Sequence, residues 1–120
     1  MKILIVDDSK LARMGVIKSL KGIEPSAELF QAENGLEALE IFKTENPKVV
    51  FLDLTMPVMD GYEALEKIMA IDPDTQVIVI SADIQSEAKQ RVLKAGAKNM
   101  CPKPISAEKM LQIFEQDLLI

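Results

Sequence analysis

Three short, unbroken apolar runs constrain this chain most: Ile3 to Val6, Val49 to Leu52, and Val77 to Ile80. Runs of this length, rich in branched residues and bounded by polar ones, suit strands buried on both faces of a parallel sheet. Parallel neighbours need a long crossover, usually a helix, so the spacing between the runs predicts alternation of strand and helix. Two weaker segments complete the set. Ala27 to Ala32 mixes polar with apolar residues, and Lys98 to Cys101 is short, as edge strands tend to be. The opening apolar run ends at Asp7 and Asp8, too soon for a signal peptide or a membrane span.

Helical spacing fills the gaps. Ser9 is a candidate N-cap for a first helix whose apolar positions are Leu11, Met14, Ile17 and Leu20, ending at Gly22. Ala38, Leu39, Ile41 and Phe42 mark a second helix, and Leu65, Ile68 and Met69 a third that stops near Pro73. Ile84, Ala88, Val92 and Ala95 mark a fourth closed by Gly96, and Met110, Leu111, Phe114 and Leu118 a fifth. No repeat, linker or low-complexity tract interrupts the pattern, so residues 1–120 are expected to form one domain. With the two polar segments at the edges, the first, third and fourth strands are central, which the order 2-1-3-4-5 satisfies. The fold class expected is α/β, a single open five-stranded parallel sheet with helices on both faces.

Composition excludes several chemistries. There is no histidine, so imidazole is absent as base, metal ligand or phosphoryl carrier. Cys101 is the sole cysteine, which rules out an internal disulfide or a zinc knuckle and leaves hard cations held by oxygen. The 14 basic against 19 acidic residues give a formal charge of -5, with no basic stripe for nucleic acid and no segment for a membrane. A cytoplasmic location is expected.

Ligands of open α/β sheets bind beyond the carboxyl ends of the strands, where strand order reverses. Asp7 and Asp8 follow the first strand, Asp53 the third and Lys103 the fifth, while Ser81 ends the fourth. Three carboxylates and one lysine leave about two net negative charges, with like pairs at ~4 Å repelling by roughly 4 kcal/mol at an effective dielectric near 20. A divalent hard cation would relieve that. Asp8 and Asp53 are candidate ligands, with Asp7 joining directly or through water. An ionised carboxylate needs no base to attack phosphorus, provided cations screen its charge.

These residues resemble the bacterial two-component response-regulator receiver family over nearly the whole chain. Val6-Asp7-Asp8-Ser9 resembles its acidic pair, and Asp53 through Gly61 its phosphoacceptor segment. Ser81-Ala82 and Lys103-Pro104 stand where the family has its hydroxyl-small pair and its Lys-Pro. Ala32 to Gly35 and Lys94 to Ala97 also match. The resemblance implies a flavodoxin-like sheet and phosphorylation of Asp53 by a histidine kinase or phosphotransfer protein. Mg²⁺, or Mn²⁺ in its place, would be held by Asp7, Asp8, Asp53 and the carbonyl of Thr55. Lys103, Ser81 and Ala82 would contact the phosphoryl group, Thr55 and Asp83 would tune its lifetime, and Pro104 would follow a cis bond. A downstream protein would bind the face of the fourth helix, fifth strand and fifth helix.

Met100 departs from the family, which often carries Tyr or Phe three residues before the lysine. Asp60-Gly61 reads as a turn into the third helix, and Cys101 as a small buried residue. The chain is expected to be a signalling phosphoacceptor rather than an enzyme, with the chain ending soon after the last helix. It would act alone, as in chemotaxis or a phosphorelay, or be a piece of a longer regulator. Two rivals remain. One is a receiver-like binding module that signals without phosphorylation. The other is a Mg²⁺-dependent phosphohydrolase, against which Thr55 stands where such enzymes carry a second Asp.

Overall fold

The computed structural model describes residues 1–118, and the last two positions of the expected domain lie outside them. Five strands alternate with five helices: β1 (Lys2–Val6), α1 (Lys10–Ile23), β2 (Glu28–Ala32), α2 (Gly35–Glu45) and β3 (Val49–Leu52) come first. They are followed by α3 (Gly61–Ile71), β4 (Gln76–Ser81), α4 (Ser86–Lys94), β5 (Asn99–Pro102) and α5 (Ala107–Gln112), which continues into a π-helical turn over Ile113–Asp117. The strands form one parallel sheet in the order β2-β1-β3-β4-β5. All three apolar runs are central strands.

Alternation along each strand splits the core into two layers. Leu4, Val6, Val50, Leu52, Val77 and Val79 face Phe42, Leu65, Ile68 and Val92 on one side. Ile3, Ile5, Val49, Phe51, Ile78 and Ile80 face Val16, Ile17, Leu20, Met110 and Ile113 on the other. Burying each such side chain contributes about 1.5–3 kcal/mol, and polar residues enter the central strands only at their ends, as Lys2, Gln76 and Ser81 do.

Three helical faces differ from the spacing read in the sequence. On α1 the buried positions are Arg13, Val16, Ile17 and Leu20, while Leu11 is 84% and Met14 39% exposed. Positions 13, 16, 17 and 20 form a complete stripe on their own, and the apolar character of Leu11 and Met14 disguised it. Ile84 lies ahead of α4 and is exposed, so that helix buries only Ala88 and Val92. At the last helix Met110, Ile113 and Leu118 are buried and Phe114 only partly so. The reason is the π turn: Leu118 N–H donates to Ile113 O at 3.0 Å, a five-residue step that rephases the face.

Strand register places the rim residues. Val6 lies opposite Leu52, so the next residues, Asp7 and Asp53, emerge side by side. Ser81 lies opposite Pro102, which brings Lys103 to the same rim.

Candidate functional site

Asp7 and Ser9 in the loop after β1 are fixed by hydrogen bonds. Asp7 N–H donates to Ala32 O at 3.1 Å, and Asp7 Oδ1 accepts from Ser9 N–H at 2.9 Å. Ser9 caps α1, its Oγ accepting from Ala12 N–H at 3.2 Å. Asp53 N–H donates to Val6 O at 2.9 Å, and Asp53 Oδ1 accepts from Leu54 N–H at 2.9 Å. The remaining carboxylate oxygens point at Lys103, whose Nζ lies 2.7 Å from Asp7 Oδ2 and 3.3 Å from Asp53 Oδ2. Asp7 and Asp53 are buried and Asp8 is exposed, yet one carboxylate oxygen from each falls within 4.8 Å of the others.

At that separation each like pair repels by about 3.5 kcal/mol for an effective dielectric near 20. One lysine cancels one charge of three. Oxygen donors at this spacing with net negative charge fit a hard divalent cation, and neither nitrogen nor sulfur is among them. Burial, reinforced by the Asp7 charge, raises the Asp53 carboxyl above its ordinary value, while Lys103 pulls against both. Burial alone would lower the Lys103 ammonium. Its hydrogen bond to Asp7 and the charges of Asp53 and Asp7 outweigh that and hold it above the ordinary lysine value. A cavity of about 370 Å³ opens beside the group, walled by Asp7, Asp53 and Lys103 at one end and by Leu11, Ala12, Gly15 and Ile105 along its length.

The loop from β3 to α3 is held tightly against Asp53. Gly61 N–H donates to Leu54 O at 2.9 Å, and a Cβ at Gly61 would collide with the carbonyl oxygen of Asp53 and lie 2.7 Å from Leu54 Cα. Asp60 caps α3, its Oδ1 accepting from Glu63 N–H at 2.9 Å, so Asp60-Gly61 is both a cap and a point of close approach. Between them and Thr55, Met59 N–H donates to Pro57 O at 2.8 Å across Val58, which sits at φ 69°. A β-branched residue in that region is strained, and here the strain closes a three-residue turn beside the site. The Lys103–Pro104 bond is cis.

The response regulator receiver domain, as a family, matches residues 3–115. The chemotaxis protein CheY of Listeria monocytogenes is 41% identical over 116 residues, 97% of both chains. That of Bacillus subtilis is 40% identical over 120 residues, 98% of this chain and 97% of its own. Among solved structures, the Borrelia burgdorferi CheX–CheY–BeF₃–Mg complex superposes with a TM-score of 0.92 at 32% identity, covering 100% of this chain and 90% of that one. Vibrio cholerae CheY4 gives 0.87 at 28% identity and 98% coverage of each chain. The chain belongs to the response regulator receiver family. That membership does not favour the hydrolase or the phosphorylation-independent reading.

In this receiver the Ser81 hydroxyl is engaged by the backbone that leads into α4. Ser81 is buried, and its Oγ accepts from Asp83 N–H at 3.0 Å. Asp83 Oδ1 in turn accepts from Gln85 N–H at 3.1 Å ahead of α4. Ser81, Asp83 and Gln85 thus form a chain of bonds into the helix, and Ala82, Thr55 and Asp83 are exposed. Met100 is 6% exposed, packed with Ala88, Val92 and Ala97 beneath α4. Cys101 is fully buried, and burial raises its thiol pKa.

Sequence reasoning missed Arg13. It is buried, with Nη1 donating to Asp7 O at 2.8 Å and Nε to Gln31 Oε1 at 2.9 Å, and Nη2 3.7 Å from Glu33 Oε1. The signal was available: Arg13 falls in the stripe with Val16, Ile17 and Leu20, where a guanidinium needs a stated partner. Among the described residues no helix is long and apolar enough to cross a membrane.

Proposed function

We propose that residues 1–120 form one receiver domain in which Asp53 accepts a phosphoryl group from a histidine kinase or phosphotransfer protein. The observation that carries this reading is the lysine bridge: Lys103 Nζ spans Asp7 and Asp53 at the convergent ends of three strands. An Asp53 carboxylate oxygen attacks phosphorus, the bond from phosphorus to the donor breaks, and the donor leaves with its electron pair. Lys103 offsets charge on the transferring oxygens, and Ser81 turns inward with the Ala82 amide to meet them. Asp7, Asp8, Asp53 and the carbonyl of Thr55 would hold Mg²⁺, or Mn²⁺, which neutralises phosphoryl charge when bound. Beyond this transfer and the later loss of its own phosphoryl group, the chain is not a turnover enzyme.

The phosphoryl group biases α4, β5 and α5 between two arrangements, and a downstream protein in the cytoplasm reads that face. Thr55 and Asp83, exposed on either side of Asp53, set how readily water reaches the acyl phosphate. Mass spectrometry after incubation with acetyl phosphate and Mg²⁺ tests the core of this. One phosphoryl mass on wild type, lost with chelator or with Asp53→Asn, is the expected result. An unmodified wild-type chain, or a label that persists in Asp53→Asn, would overturn it.

A further inference from the structure

The read-out needs a route that does not depend on an aromatic ring at position 100. α4 is lightly tied to the core, with only Ala88 and Val92 buried and no side-chain bond at its N-cap, Gln85. Its entry is held through Asp83 to Ser81 Oγ at 3.0 Å. Farther along, a groove of about 390 Å³ separates it from α3, lined by Tyr62, Leu65, Glu66, Arg91, Lys94 and Ala95. One contact bridges that groove: the Arg91 guanidinium carbon lies 3.8 Å from the centre of the Tyr62 ring. Tyr62 directly follows Gly61, whose N–H donates to Leu54 O at 2.9 Å and whose missing Cβ leaves room for the Asp53 carbonyl. α4 is therefore held at two places, at its start by the bond to Ser81 at the end of β4 and along its length by Arg91 on Tyr62, at the start of α3.

We infer that Arg91 is a positioning residue: stacked on Tyr62, it latches α4 in the resting arrangement and so restrains phosphorylation of Asp53. This rests on the phosphoacceptor reading above. When Ser81 turns toward the phosphoryl group, Asp83 N–H loses its acceptor and the start of α4 is released. Completing the shift requires the cation to leave the ring. Whatever stabilises the resting arrangement lowers the population of the one that phosphorylation selects, and where that arrangement is the one that reacts, labelling slows in proportion. An exposed cation–π pair of this kind biases such an equilibrium by about two- to fivefold.

The chain reports on this without a label, because Tyr62 is its sole tyrosine and it has no tryptophan. Tyr62 ring resonances and tyrosine emission are followed while acetyl phosphate and Mg²⁺ label Asp53, with the label counted by mass spectrometry. Wild type is expected to shift both signals as label accumulates. Arg91→Ala and Tyr62→Leu should each label about two to five times faster, and the double variant no faster than either single one. Arg91→Lys and Tyr62→Phe, which keep a cation and a ring, should stay near wild type, an outcome that a general loss of stability does not produce. Labelling without any movement of the Tyr62 signals, or single-variant rates equal to wild type, would sink the latch and leave the phosphoacceptor intact. A wild-type chain that takes no label overturns both.

Discussion

Replacing glycine by alanine at position 61 and, separately, at position 15 makes one chemical change in two helices with opposite expected signs. In a helix interior the exchange stabilises by about 0.5–1 kcal/mol, since the unfolded chain loses freedom and the helix gains a better former. At Gly15 nothing lies within 4 Å of the added carbon, so that gain should appear in full. At Gly61 the new carbon meets backbone on every side: Leu54 Cα at 2.7 Å, the Asp53 carbonyl carbon at 2.9 Å, and the Asp53 oxygen nearer still. Backbone cannot rotate aside as a side chain does. Over-packing of this kind costs roughly 1–3 kcal/mol, and at the first position of α3 the offsetting helix gain is small.

Thermal unfolding by circular dichroism measures both. Gly15→Ala should raise the midpoint by about 2–5 °C, and Gly61→Ala should lower it by about 4–10 °C, for a domain of this size. The functional signs should separate too. Moving the Asp53 backbone disturbs a carboxylate held 3.3 Å from Lys103, and a misplacement approaching 1 Å costs on the order of 10²-fold in rate. Labelling of Asp53 should therefore fall by roughly tenfold in Gly61→Ala and stay unchanged in Gly15→Ala. A Gly61→Ala protein that melts with wild type and labels normally would refute the close-approach argument. A destabilised Gly15→Ala would show that α1 is packed where the structure leaves space.

Asp53→Asn should stabilise the metal-free protein at neutral pH, because burial and the Asp7 charge raise the folded-state pKa of this carboxyl. A raised carboxyl pKa means the fold holds the proton more tightly than the unfolded chain does. The stability it contributes is then present below the unfolded value and lost as pH rises through the folded one. The advantage of Asn should accordingly shrink as pH falls into the ordinary carboxylate range, and a pH-independent difference in melting temperature would contradict this. Arg13→Met removes the donor to Asp7 O and Gln31, leaving acceptors without partners at about 1–3 kcal/mol each where buried. It should also weaken Mg²⁺ binding, read by calorimetry, by roughly tenfold through the loosened Asp7 loop. Unchanged affinity would reduce Arg13 to a purely structural role.

Much of the architecture was legible because the signals were physically unambiguous. Val49 to Leu52 and Val77 to Ile80 cannot face water on either side, which makes them central. Once they are central, the polar residues just beyond them must share one rim. The helical faces were less legible. Leu11 and Met14 satisfy helical spacing as well as Val16 and Leu20 do, and only the position of β2, which supplies Gln31 to Arg13, decides between the stripes. Nothing in the composition of residues 113–117 announces a π turn, which depends on how α5 meets the sheet. The pairing of Tyr62 with Arg91 joins two helices 29 positions apart and leaves no local trace.

Met100 shows why the chemistry of a site can be read more readily than its consequences. A buried methionine adjusts by rotating three soft torsions, so it can fill space vacated near Ser81 without moving anything rigid. No signal of that kind travels far. In the proposed switch the two-state element is instead the bond between Asp83 N–H and Ser81 Oγ, which this structure holds made at 3.0 Å. Because Asp83 is exposed, water can take over its amide, so breaking the bond frees the start of α4 rather than forcing it. A freed helix moves only as far as its remaining contacts allow. Among the described residues α4 buries Ala88 and Val92 and lays the Arg91 guanidinium on Tyr62, and that guanidinium reaches the start of α3, next to the residue packed against the Asp53 backbone.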